Sequence, residues 1–276
     1  MKNFRHAIIV AAALTMGQTA TASAASLPLP PVVEPMPIPE PVAATDYYLR
    51  SYIGITNQEI DTFTNDVIAN GPFTIIDHDF DSSPFIGLGI GFVYSDRFRF
   101  DLTGEYRGKS DFDGLDSYTG CAFGAGVCTN EYTGNKSEWL FLANGYWDIG
   151  TFRGFTPYVG GGIGTAAVTL RDFRDVNQLA GAVHWASDNT EWNFAWALNA
   201  GFSYEISPDL TFDMGYRFAY LGDGKTGSFK TFVPADPGGP LTLKDIVSHD
   251  VMVGLRWNFG GDSCCDIPEA MPIPYK

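Results

Sequence analysis

The stretch EWNFAWALNAGFSYEI, residues 191–206, alternates without interruption. Trp192, Phe194, Trp196, Leu198, Ala200, Phe202, Tyr204 and Ile206 fall on one side; Glu191, Asn193, Ala195, Ala197, Asn199, Gly201, Ser203 and Glu205 fall on the other. A period of two is the spacing of a β-strand, whose successive side chains point to opposite faces. The run far exceeds the roughly five or six residues of an ordinary soluble strand. It predicts a long strand with one aromatic-rich apolar face.

Working outward, the same period recurs at 98–107, 210–221 and 247–259, and more weakly at 47–56, 84–94, 137–148 and 156–169. A strand of about ten residues, tilted near 45°, covers the roughly 25 Å apolar band of an outer membrane. The connections alternate in length. Short ones fall at 95–97, 149–155 and 207–209, and long ones at 57–83, 108–136, 170–190 and 222–246. That is the asymmetry of periplasmic turns against extracellular loops. Aromatics also sort by height: Tyr106, Trp139, Trp192 and Tyr220 at the loop side, Tyr94, Phe98, Trp147, Tyr204 and Trp257 at the turn side. Amphipathic rings sit best between hydrocarbon and headgroups, so two girdles are expected. The predicted fold is all-β: an eight-stranded antiparallel transmembrane β-barrel, an up-and-down meander with short periplasmic turns and long extracellular loops.

The chain ends divide the remainder. Lys2, Arg5 and His6 precede an apolar run from Ala7 to Leu14 and the small-residue stretch Ala22-Ser23-Ala24. This is the pattern of a cleaved signal peptide at 1–24, too short for a membrane helix. A Pro-rich leader at 25–45 favours extended polyproline II and cannot donate ladder hydrogen bonds. The barrel is expected at 46–260, and 261–276 is read as a periplasmic tail, in which Met271-Pro272-Ile273-Pro274 echoes Met36-Pro37-Ile38-Pro39. No later apolar run is long enough for a helical span. The net charge of −15 becomes −17 when Lys2 and Arg5 are removed, which argues against a nucleic-acid partner.

Four stretches carry a family resemblance: Tyr48-Leu49-Arg50-Ser51-Tyr52-Ile53-Gly54, Ala143-Asn144-Gly145-Tyr146-Trp147-Asp148, Pro157-Tyr158-Val159-Gly160-Gly161-Gly162-Ile163-Gly164, and Val253-Gly254-Leu255-Arg256-Trp257-Asn258-Phe259. With them the chain resembles small outer-membrane β-barrel proteins of the OmpA-transmembrane-domain and opacity-protein type, notably alphaproteobacterial surface antigens. The resemblance implies an outer-membrane location, contact with outer-membrane lipid and lipopolysaccharide, and insertion by the barrel-assembly machinery. It also implies that Trp257 and Phe259 are the assembly signal, here followed by seventeen further residues.

The polar faces of the strands carry Arg50, Arg99, Arg107, Arg217 and Arg256 with Asp101, Glu105, Glu138, Asp148, Glu205, Asp213 and Asp250. An eight-stranded lumen is just filled by its side chains, so these charges are expected to pair into a salt-bridged plug. Cys121 and Cys128 flank a Gly-rich hexapeptide and are candidates for a small disulfide ring; Cys264-Cys265 follows the last strand. Asp77-His78-Asp79-Phe80-Asp81 departs from the EF-hand pattern, with Ser82 where Gly is needed and Leu88 where Glu is needed. No metal or cofactor is expected. His78, His184 and His249 are the mature histidines; His184 lies near Ser187 and His249 between Ser248 and Asp250, but no triad is expected to form. The function expected is that of a structural surface protein whose loops serve envelope integrity, adhesion or contact with host or neighbouring-cell molecules, and not an enzyme. The alternative is a small porin-like channel for ions or small solutes.

Overall fold

The computed structural model describes residues 46–65, 73–119, 126–179, 181–231 and 239–259. They form twelve strands: β1 (Asp46–Glu59), β2 (Thr62–Asn65), β3 (Phe73–Phe80), β4 (Ser83–Ser95), β5 (Phe98–Thr119), β6 (Val127–Asp148), β7 (Phe155–Asn177), β8 (Ala182–Ala186), β9 (Asn189–Ser207), β10 (Leu210–Lys225), β11 (Phe229–Lys230) and β12 (Leu241–Phe259). No described helix is long and apolar enough to cross a membrane.

Eight of these strands pair in a closed cycle, every ladder antiparallel. β1 pairs with β4, β4 with β5, β5 with β6, β6 with β7, β7 with β9, β9 with β10, β10 with β12, and β12 with β1. Closure leaves none of the eight with an unpaired edge along the cycle. The remaining strands attach at one end, β2 to β12, β3 to β5, and β8 to both β7 and β11.

Burial alternates along each strand of the cycle. In the lower part the buried side chains are polar or charged and the exposed ones apolar: Arg99, Asp101, Thr103, Glu105 and Arg107 are buried on β5, while Phe98, Phe100, Leu102 and Tyr106 are exposed. On β4 the buried face passes from Ser83 and Phe85 to Gly87 and Gly91, and the glycines make room inside. A Cβ at Gly87 would stand 2.3 Å from the Tyr52 ring, and one at Gly91 would stand 2.4 Å from the Tyr48 ring. The interior therefore holds tyrosines as well as charges.

Among the described residues the long connections are largely strand, which corrects the expected boundaries. Strands β5, β6, β7 and β12 run well past the predicted ends, and β2, β3, β8 and β11 lie within the remaining stretches. In this upper part aromatic and aliphatic side chains join the buried face, alongside Asp116, Asn130, Asp175 and Asn177. On β5, Phe112 is buried while Asp111 and Asp113 are exposed. β-Bulges reset the faces, because one extra residue moves every later side chain across the sheet. β5 gains a residue between Arg107 and Ser110, β7 between Arg171 and Arg174, and β12 between Leu243 and Ile246. The last two hold Asp172 at φ 55° and Asp245 at φ 53°, left-handed conformations that a short polar side chain tolerates.

The signal peptide, the Pro-rich leader, the tail with Cys264-Cys265, and Cys121 lie outside the described residues.

Candidate functional site

The interior of the cycle is the densest concentration of chemistry in the chain. Strands β5, β10 and β12 turn their polar faces to it and supply one group of four charges. Arg107 Nη2 meets Asp250 Oδ2 at 2.7 Å and its Nε meets Glu105 Oε1 at 2.8 Å. Arg217 closes the square, with Nη2 2.7 Å from Glu105 Oε1 and its Nε donating to Asp250 Oδ2 at 2.8 Å. Tyr52 donates to Glu105 at 2.9 Å, and Arg107 donates to Ser248 at 2.8 Å. Each carboxylate thus accepts from both guanidiniums.

A second group lies toward the short turns. Arg50 donates to the Tyr146 hydroxyl at 2.7 Å and pairs with Asp101 at 3.4 Å. Asn144 also donates to Asp101, at 2.8 Å. Arg99 Nε donates to both Asp148 oxygens at 3.2 Å, and its guanidinium lies 4.3 Å from the Tyr146 ring centre and 4.6 Å from that of Tyr158. Asp213 stands between Arg50 and Arg256, 4.0 Å and 3.9 Å from their nearest nitrogens. A third group lies on the loop side: Lys136 pairs with Glu138, which accepts from Gln58 Nε2 at 2.8 Å.

Of the twelve residues singled out in the sequence for this network, eleven share the interior. Glu205 does not: it is exposed near the β9–β10 turn, where the chain leaves the packed cycle. Lys136, Gln58 and the tyrosines 48, 52, 146 and 158 belong to the interior and were not singled out. Their parity was the available signal, since Lys136 lies two residues from Glu138 and both Tyr48 and Tyr52 lie two from Arg50.

Above the charges sits an apolar cap. Phe63, Phe112, Tyr132, Leu170, Phe173, Leu221, Leu241 and Leu243 are buried together. Phe112 stacks on Phe173 at 5.6 Å, and Phe63 meets Tyr132 edge-on at 5.2 Å. Such pairs add about 0.5–1.5 kcal/mol each beyond the area they bury.

The outer face supplies the two girdles at the heights expected, with Trp139, Trp192, Trp147 and Trp257 all exposed. Phe259 is exposed beside Trp257 at the end of β12. His249 faces outward, its Nδ1 2.6 Å from the Tyr216 hydroxyl, while Ser248 and Asp250 face inward and contact Arg107. His184 contacts Asp175 at 3.7 Å. That pair lies eight residues beyond the level of Trp139 and Trp192, outside the membrane band, together with buried Asp116 and Tyr132. Burial, with the neighbouring Asp116 charge, pushes the Asp175 carboxyl up to about 7. Burial also raises Asp116 and Tyr132. Among the described residues no three His, Cys, Asp or Glu side chains gather as metal ligands. Cys128 is buried.

Comparison with known proteins locates this architecture. The family model for the outer membrane protein beta-barrel domain matches residues 9–259. An uncharacterised protein of Brucella suis is 30% identical over 260 residues, which cover 83% of this chain and 89% of that one. Outer membrane protein PagN of Salmonella typhimurium is 28% identical over 204 residues, covering 72% and 82%. A Rickettsia bellii protein named "Putative adhesin" is 30% identical over 179 residues, covering 62% and 73%.

Proposed function

This chain belongs to the outer membrane protein beta-barrel domain family and resides in the bacterial outer membrane, and from that premise we propose that it is a filled, eight-stranded transmembrane barrel that displays an ordered extracellular β-extension for contact with host or neighbouring-cell molecules. The observation that carries this reading is the filling of the interior. Paired charges occupy the membrane level, and the apolar cap of Phe63, Phe112, Tyr132 and Phe173 lies over them. A structural scaffold needs such a plug, whereas a conduit for ions needs an open polar path. The adhesin name of the Rickettsia relative supports the same reading.

The other assignments follow from it. Residues 1–24 are the exported chain's signal peptide, 25–45 its periplasmic leader, 46–260 the barrel and 261–276 a periplasmic tail. The charged interior, from Arg50 to Arg256, rigidifies the scaffold. Trp257 and Phe259 serve recognition by the barrel-assembly machinery, and the girdles contact lipid and lipopolysaccharide. Cys121 bonds to Cys128 and orders the tip of the β5–β6 hairpin. We assign no catalytic role.

The deciding experiment pairs liposome swelling with adhesion. Purified protein in liposomes should admit no small sugars, and cells whose extension is shortened at 111–134 should lose adhesion while keeping the barrel in the membrane. Swelling by well-folded protein would favour the porin-like channel instead.

A further inference from the structure

The first hairpin of the cycle is split at its upper end. β1 and β4 are paired from Asp46–Val93 up to Thr56–Ser83, but their continuations part. β2 pairs with β12 and β3 pairs with β5, and among the described residues no ladder joins β2 to β3. In an antiparallel ladder alternate residues direct N–H and C=O to the opposite edge, so each strand turns backbone donors and acceptors toward the split.

At the base of the split lies a cavity of about 290 Å³ lined by Gln58, Glu59, Ile60, His78, Asp79 and Phe80. Residues 57–83 contain no Lys or Arg, and Asp61, Asp77 and Asp81 border the same strands; the interior cation Lys136 stands 4.5 Å from the Phe80 ring but is paired with Glu138. The basic residue aligned with β2, Lys244, belongs to β12, on the far side of β2. Gln58 is 2% exposed, and although its Nε2 is committed to Glu138, its Oε1 has no hydrogen-bond partner. A buried, unused acceptor in a cavity also lined by Glu59 and Asp79 matches a multivalent cationic donor such as a guanidinium. His78 spans the split, donating from Nε2 to the Ile60 carbonyl at 3.2 Å.

We propose that this split is a docking site for an extended, basic polypeptide segment of a partner protein, which adds as a strand between β2 and β3 and places an Arg or Lys side chain in the cavity against Glu59, Asp79 and Gln58. Backbone pairing supplies affinity and the acidic pocket supplies the choice of sequence. The inference rests on the reading of this end of the barrel as a contact surface, and it names the chemistry of what is contacted.

The test uses the full mature protein in detergent micelles and two fluorescent octapeptides of alternating Val-Arg or Val-Glu sequence. Anisotropy should show saturable binding of the Arg peptide, weakening at high salt, with no binding of the Glu peptide. Amide exchange should slow in 59–65 and 73–80 when the Arg peptide is bound. Glu59→Gln with Asp79→Asn should weaken binding at least tenfold. Glu59→Lys with Asp79→Lys should exchange the preference to the Glu peptide, with each variant first checked for the heat-modifiable gel shift of a folded barrel. Equal binding of both peptides, binding of spermidine with the same loss in the variants and no exchange protection, or unaltered binding by the charge-exchanged variant would overturn the proposal. Its failure is separable from failure of the surface reading, because protease access to the extension on intact cells reports orientation without any peptide.

Discussion

Arg50 and Arg256 occupy paired positions of the β1–β12 ladder, both on the buried face, and Asp213 on the next strand lies within 4.0 Å of each. Like charges directly opposite one another destabilise a sheet, and a shared carboxylate offsets the repulsion. Asp213 is held by Ser203, whose hydroxyl donates to it at 2.5 Å. Removing that carboxylate leaves two guanidiniums facing each other in a site with little water. Asp213→Asn is therefore expected to cost about 3–5 kcal/mol. Urea unfolding in micelles should show the loss, and adding Arg256→Met should recover part of it.

Gly87 and Gly91 are expected to tolerate no side chain. Gly87→Ala drives a methyl group into the Tyr52 ring, and overpacking of this kind costs about 1–3 kcal/mol. Thermal unfolding followed by gel shift checks this. Tyr52→Leu in the same chain should relieve the clash while losing the hydrogen bond to Glu105.

The apolar cap should be separable from the charged level below it. Phe112→Ala removes a ring in contact with Phe63, Phe80 and Phe173, a truncation that costs about 3–5 kcal/mol in a well-packed core. Hydrogen exchange should quicken at least tenfold in 110–135. Residues 98–107 should keep their protection, because their contacts lie among the charges.

Acid should tighten the extension. A carboxyl raised from 3.8 to about 7 binds its proton more strongly in the folded state, so ionising Asp175 destabilises that state. The penalty is absent below the unfolded value near 4, grows as pH rises, and is complete above about 7. Its upper limit is about 4 kcal/mol. Exchange in 172–186 should slow between pH 8 and pH 5, and Asp175→Asn should abolish that dependence. Faster exchange on acidification would refute the assignment.

The eight strands of the cycle were legible because a lipid-facing strand must show every second residue to hydrocarbon. The runs from Phe98 to Arg107 and from Glu191 to Ile206 announce themselves by alternation alone. The extension was not legible for the same reason. Once a strand rises above the membrane its outer residues turn polar, and 108–119, with Lys109, Asp111, Asp113 and Asp116, reads as a loop. A bulge costs one residue and leaves no mark in composition, so the change of face at Lys109, Asp172 and Asp245 could not be anticipated.

The sequence by itself determined the eight strands of the cycle, the two girdles of aromatics and the inward face of eleven of the twelve charges it singled out, because these follow from side-chain parity and a fixed membrane thickness. Only the tertiary structure decided which charge meets which. Arg107 and Asp250 are separated by 143 residues and meet only because the cycle closes through β12 and β1. Closure also set the apolar cap over the charges and parted β2 from β3. Such relations depend on ladder register between strands distant in sequence, and register is a property of the assembled sheet.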